Sequence, residues 1–163
     1  MGFIEVPALN PKQPSTSFRI RNRDFRVDVL TPMRGRETTR PVKLDQFGTY
    51  ATPLRHLDYL LEDVQPAVLL YRHGIMINVP APGRFAIHKC AISQKRGTAA
   101  AAKIRKDLSQ AEQVFEALLD IRPADITLAL HAAGERNAAF REKVDAGIEQ
   151  LDSTIANEVR KLR

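Results

Sequence analysis

A single cysteine, Cys90, stands among 163 residues, so no intramolecular disulfide forms and the composition suits a cytosolic protein. No apolar run approaches the length of a membrane span. The start, "MGFIEVPALNPKQP", lacks the charged-then-apolar pattern of a secretory signal. It also lacks the Ser or Thr that a myristoylation signal carries at its sixth position. His56, His73, His88 and His131 show no zinc-like spacing with one another or with Cys90. A glycine-rich phosphate loop and a "GxSxG" elbow are both missing. Aromatic residues are only 6% of the chain and scattered, which argues against a base-stacking platform. As for Cys90 itself, His88 lies two positions back and does not face it on a helix. The thiol reads as a packed, small apolar group.

What is present is an ordinary globular composition, 44% apolar and 27% charged, which excludes disorder throughout. The length fits one domain, or a small sheet with a helical appendage. The formal charge is +6 and the pI about 9.8. That balance suits a polyanionic partner such as nucleic acid or a nucleotide phosphate, and equally a mildly basic surface with no such role.

Along the chain, Pro7, Pro11 and Pro14 mark an extended lead-in with a short strand at "FIEV". "RIRNRDFRVDVLTP" alternates around Asn22-Arg23-Asp24 and predicts a β-hairpin, with Phe25, Val27 and Val29 on a core-like face. A polar loop, "RGRETTRPVKLDQFGTYATP", follows. "LRHLDYLLED" fits a helical turn or two and fits a strand as well. "PAVLLYRHGIMINVPAP" predicts a second hairpin, turning at His73-Gly74 and ended by Pro80 and Pro82. "PGRFAIHKCAISQKRG" then has helical spacing, with Gly97 as its stop. The strongest helix is "TAAAAKIRKDLSQAEQVFEALLDIRP", whose stripe runs through Ile104, Leu108, Ala111, Val114, Phe115 and Leu118 to Pro123. Two more helical segments are expected over 123–134 and 136–162. Strands first and helices second predict an α+β fold: a small, mainly antiparallel sheet over 1–82 followed by a helical bundle over 83–163.

Three sets of residues could carry chemistry. Asp28 sits on the polar face of a strand, a position Asp usually avoids. A carboxylate fixed on rigid sheet suits Mg²⁺, which takes oxygen ligands along with substrate phosphates. On residue types alone, a solvent-facing strand whose Asp28 pairs with a neighbouring Arg, such as Arg19 or Arg21, is the simpler reading. Lys89 and Arg96 stand two helical turns apart and project from one side of the helix, where a Lys point charge and an Arg fork suit a triphosphate. A solvated basic face has the same spacing. Lys103, Lys106 and Asp107 open the next helix, with Gln110 three residues on. Asp107 is placed to pair with a cation of the preceding helix, Lys89 or Arg96, and a helix-start carboxylate is the plainer alternative.

Read in order, "FRVDVLTP", "VPAPGRFAIHKCAISQKR" and "AAKIRKDLSQAEQVFEALL" resemble the C-terminal part of a bacterial family of nucleotidyltransferase-fold proteins. That family lies within the polymerase-beta-like superfamily and is akin to abortive-infection toxin nucleotidyltransferases. The resemblance covers about residues 15 to 120. It implies Mg²⁺-dependent transfer of a nucleotide from an NTP to a hydroxyl of an RNA, protein or small-molecule acceptor. It also implies that Asp28 is the third carboxylate of the metal site, and that Lys89 and Arg96 are phosphate contacts assisted by Lys106 and oriented by Asp107. Toxin-like relatives carry a second Asp where this chain has Gln110. The Gly-Ser turn and Asp-x-Asp strand that supply the other carboxylates do not occur before residue 28. The chain is therefore expected to lack the N-terminal catalytic motif, which a partner chain would supply. A non-catalytic nucleotide- or RNA-binding module, or a subunit of a split enzyme, is the alternative.

Overall fold

The computed structural model describes residues 2–8, 10–94 and 100–163. The fold is α+β, with small and mainly antiparallel sheets in the first half and a helical region after them. The chain gathers into two compact units, residues 1–58 and 59–163.

The first unit holds two three-stranded sheets. Strands β1 (Phe3–Glu5), β2 (Ser17–Ile20) and β3 (Arg26–Asp28) pair antiparallel in that order. The expected hairpin is there: Asn22 takes φ 60° at its tip, a conformation Asn tolerates, and Ser17 pairs with Asp28 across the ladder. The strand then stops at Val29. Its N–H donates to Thr16 and its carbonyl accepts from Thr52, both at 2.8 Å, so Val29 hands the chain from one sheet to the next. There β4 (Leu30–Pro32) runs parallel to β6 (Thr49–Leu54), and β5 (Val42–Leu44) pairs antiparallel with β6 on its other side. The face of Phe25 and Val27 is not a core face, because both side chains are exposed. Few residues of this unit are buried, Ser17, Ala51, Pro53 and Leu57 among them.

The second unit contains the hydrophobic core. Helix α1 (Leu57–Leu61), which begins in the last two residues of the first unit, resolves the ambiguous "LRHLDYLLED" as a short helix. Its Tyr59 is buried and donates its hydroxyl proton to Ala129 O at 2.8 Å. Arg84 and Arg136 lie over the Tyr59 ring, and both donate to Glu62 Oε2, at 2.7 and 2.6 Å. The second hairpin follows as β7 (Val64–Leu69) and β8 (Ile75–Pro80). Ala81 N–H donates to Asp63 O, and that bond fixes the parity of the ladder. Odd-numbered residues exchange hydrogen bonds across it, and even-numbered N–H groups point outward. Pro66 and Pro80, which have no N–H, both occupy outward positions.

Helix α2 (Pro82–Ser93) starts with proline at its first turn, where a missing N–H costs nothing. Gly83, Ala86, Ile87, His88, Cys90, Ala91 and Ser93 are all buried, as expected of a helix surrounded by others. Around it pack α3 (Ala101–Ile121), α4 (Pro123–Gly134) and α5 (Ala138–Glu149). Two glycines permit the close approach. A β-carbon on Gly147 would lie 2.3 Å from the carbonyl oxygen of Cys90, and one on Gly83 would lie 2.5 Å from that of Asp125. The stripe on α3 faces the core as its spacing predicts, with Ala111, Phe115 and Leu118 buried.

The last expected helix, 136–162, is instead two. Asp152 caps a new helix, α6 (Ser153–Lys161), by accepting from Thr154 N at 2.9 Å, and its N–H donates to Glu112. Leu151 turns into the core between them. An Asp that satisfies a free helix N–H starts a helix rather than continuing one. The proposed stop at Gly97 lies outside the described residues. Among those described, no helix is long and apolar enough to cross a membrane.

Candidate functional site

In the second unit the chain brings two of its candidate residues together. Lys89 projects from α2 and donates through Nζ to Asp107 Oδ1 of α3, at 2.8 Å. Asp107 is 5% exposed and Lys89 17% exposed. The ammonium also lies 5.2 Å from the centroid of the Phe85 ring. Phe85 precedes Lys89 by four residues, one helical turn, so that spacing was a readable signal for the aromatic platform. A Lys ammonium has three protons to donate. Asp107 takes one and the Phe85 face stabilises the charge. The group is thus a cation aimed by its neighbours rather than a free-swinging surface lysine.

The other expected phosphate contacts are placed differently. Lys106 is exposed on α3, and adjacent helical residues diverge by about 100°, so it does not share the direction of buried Asp107. Gln110 lies one turn beyond Asp107, with Oε1 buried and without a hydrogen-bond donor. Arg96 lies outside the described residues.

In the first unit, Asp28 answers the question raised by a carboxylate in mid-strand. Its Oδ1 accepts from Ser17 Oγ at 2.5 Å and from Arg26 Nε at 2.9 Å, and Arg26 Nη2 donates to Ser17 Oγ at 2.9 Å. The partner is therefore Arg26, two residues back on the same face, and neither Arg19 nor Arg21. The Ser17 hydroxyl, followed by Arg26, holds the Asp28 carboxyl below the usual carboxylate range, against a smaller opposing effect of burial. Ser17 carried no signal in sequence, because only the register of β2 on β3 places it opposite Asp28.

Does this set fit Mg²⁺? The ion demands several oxygen ligands in octahedral geometry. Among the described residues, no three His, Cys, Asp or Glu side chains gather into a group that could hold a metal. Asp28 has one oxygen already engaged, and the guanidinium beside it repels a second cation. These residues alone do not fit the ion. Cys90 is fully buried and its thiol is pushed up to about 12 by desolvation, which leaves it unreactive.

The sequence also understated the aromatics. Phe3, Phe18 and Phe47 come from three separate segments and line one open cleft with Glu5, Val27 and Thr49. Scatter along the chain did not prevent their meeting in space.

A family model described as Nucleotidyltransferase matches residues 1–134, which covers both units as far as the end of α4. The chain belongs to that nucleotidyltransferase family. No curated protein and no solved structure gives a match.

Proposed function

We propose that this chain binds a nucleoside triphosphate and takes part in transferring its nucleotide to a hydroxyl acceptor. The observation that carries the reading is the aimed Lys89–Asp107 pair within a member of a nucleotidyltransferase family. In the reaction, the acceptor oxygen forms a bond to the α-phosphorus and the bond to the bridging oxygen breaks. Pyrophosphate leaves with the negative charge and the hydroxyl proton passes to solvent. Such transfers depend on positioning and on stabilising charge spread over phosphoryl oxygens. Lys89 suits that task, since Asp107 and Phe85 fix its direction and an ammonium paired to one carboxylate oxygen keeps further N–H donors for a phosphoryl group. Arg96, on its spacing from Lys89, and Lys106, on the family resemblance, are proposed as further phosphate contacts. Asp28, whose Oδ1 is engaged by Ser17 and Arg26, keeps its proposed role as the family's sheet carboxylate on the resemblance alone. A cytosolic setting accompanies this reading.

A second reading is supported by the missing carboxylate cluster among the described residues. On it, the chain is a nucleotide-binding part of an enzyme whose metal ligands come from elsewhere, such as a partner chain. Calorimetric titration with Mg²⁺ and each NTP tests the common core of both. The wild type is expected to bind, and Lys89→Ala to bind about tenfold more weakly or worse, in line with loss of a charge-assisted contact. Equal affinity of wild type and Lys89→Ala would remove the basis of both readings. If binding is seen, turnover in the presence of Mg²⁺ and an RNA acceptor separates them.

A further inference from the structure

We infer that the aromatic cleft of the first unit is a binding site for the bases of a single-stranded polynucleotide. The inference extends the proposed function by naming the acceptor class and rests on that reading for its catalytic meaning; the binding itself is a separate matter. Four of the chain's seven phenylalanines, at 3, 18, 25 and 47, fall in the first 58 residues. Three line the cleft, and the fourth, Phe25, stands against Phe3 with ring centroids 6.3 Å apart. They are not folded away. Phe3 is 54% and Phe47 75% exposed. Large apolar rings left in water in a grouped patch mark a surface that another molecule covers.

The occupant is indicated by charge. The first 58 residues carry ten Lys and Arg against six Asp and Glu, so the unit attracts polyanions. Phe3 lines both the cleft and a second hollow, which Ile4, Ile20 and Arg21 also line. The phosphates of a strand whose bases stack in the cleft are proposed to meet Arg21 of that second hollow. Glu5 is the one carboxylate in the cleft. It repels a phosphate from that spot and accepts a hydrogen bond from an exocyclic amino group, such as those of adenine or cytosine. Aromatic faces for bases, with cations outside them for phosphates, is the arrangement by which proteins hold single strands. A duplex would bury its base faces and gain nothing from the rings.

Fluorescence anisotropy with the full chain, without NTP, tests this independently of the nucleotide site. The probes are labelled oligoadenylate and oligouridylate RNAs of about twelve nucleotides, within the usual span of such sites. Oligoadenylate is expected to bind more tightly than oligouridylate, and Glu5→Ala to remove that preference. Phe47→Ala and Phe3→Ala should each weaken binding about fivefold or more, the usual consequence of losing one stacking ring. Arg21→Ala should lower the slope of log affinity against log salt by about one. Phe47 is so exposed that its variant keeps the fold, which circular dichroism checks. Absence of oligonucleotide binding, or an unchanged affinity in Phe47→Ala, would overturn the inference. So would a dimer in sedimentation that Phe47→Ala dissociates while oligonucleotide affinity stays intact, since the face would then be a protein interface.

Discussion

Lys89 and Asp107 lie eighteen residues apart and meet at 2.8 Å, so one ion pair joins the central helix α2 to the long helix α3. The pair serves two ends that mutation can separate. Asp107→Ala leaves an ammonium mostly buried without its carboxylate, and the expected loss of stability is about 3 kcal/mol. Replacing both partners by apolar residues, as in Lys89→Met with Asp107→Leu, should recover most of that loss, because two buried charges are removed together. Nucleotide binding should not recover with it. Urea unfolding and NTP titration of the three proteins would check this. A double variant that binds as the wild type does would make the pair purely structural.

Gly147 is expected to tolerate nothing larger. Its missing β-carbon would overlap the carbonyl of Cys90, and neither helix backbone can yield without disturbing the core. Gly147→Ala should cost about 3 kcal/mol, at the upper end for overpacking. Gly134 ends α4 with open space around it, so Gly134→Ala should gain about 0.5 kcal/mol by restricting the unfolded chain. Thermal unfolding of the two variants should therefore move in opposite directions.

Acid should loosen the Ser17–Asp28–Arg26 contact. The folded carboxyl titrates below its unfolded value, so its contribution is complete above the unfolded pKa and disappears as pH falls through the folded one. Asp28→Asn has no such proton to take up. The wild type should lose more stability than Asp28→Asn between neutral pH and about pH 3, measured by urea midpoints at each pH. Parallel losses would show that the contact does not contribute.

The family match ends at residue 134, but the core does not. Phe140, Val144, Ile148, Ala156 and Val159 of α5 and α6 are buried with α2 and α3. A chain ended after Gly134 would uncover those partners, and burial of each large side chain is worth about 1.5–3 kcal/mol. Such a chain should lose cooperative unfolding and near-ultraviolet dichroism, which spectroscopy of the purified fragment would reveal.

Local patterns explain what could be read in advance. The stripe on α3, the proline at the start of α2 and the two hairpins each depend on residues within one turn of helix or one pair of strands. Lys89 and Asp107 were also legible, because each sits on a predictable face of a predictable helix. What escaped depends on register and on distant pairing. Ser17 reaches Asp28 only through the β2–β3 register, and Phe47 joins Phe3 in lining the cleft only after the chain has left the first sheet and formed β4 and β5 of the second. The break at Leu151 had a local cause, the capping Asp152, but the apolar spacing continued across it and concealed the cap.

The two prolines of the second hairpin have a consequence for behaviour at high concentration. Pro66 removes the central rung that an incoming strand would need at β7, and Pro80 removes the last one at β8. Val68, Leu69, Ile75 and Met76 are exposed beside those margins, a composition that otherwise favours endless stacking of ribbons into fibres. A ribbon this sticky on its flanks is kept from polymerising by the gaps in its rails.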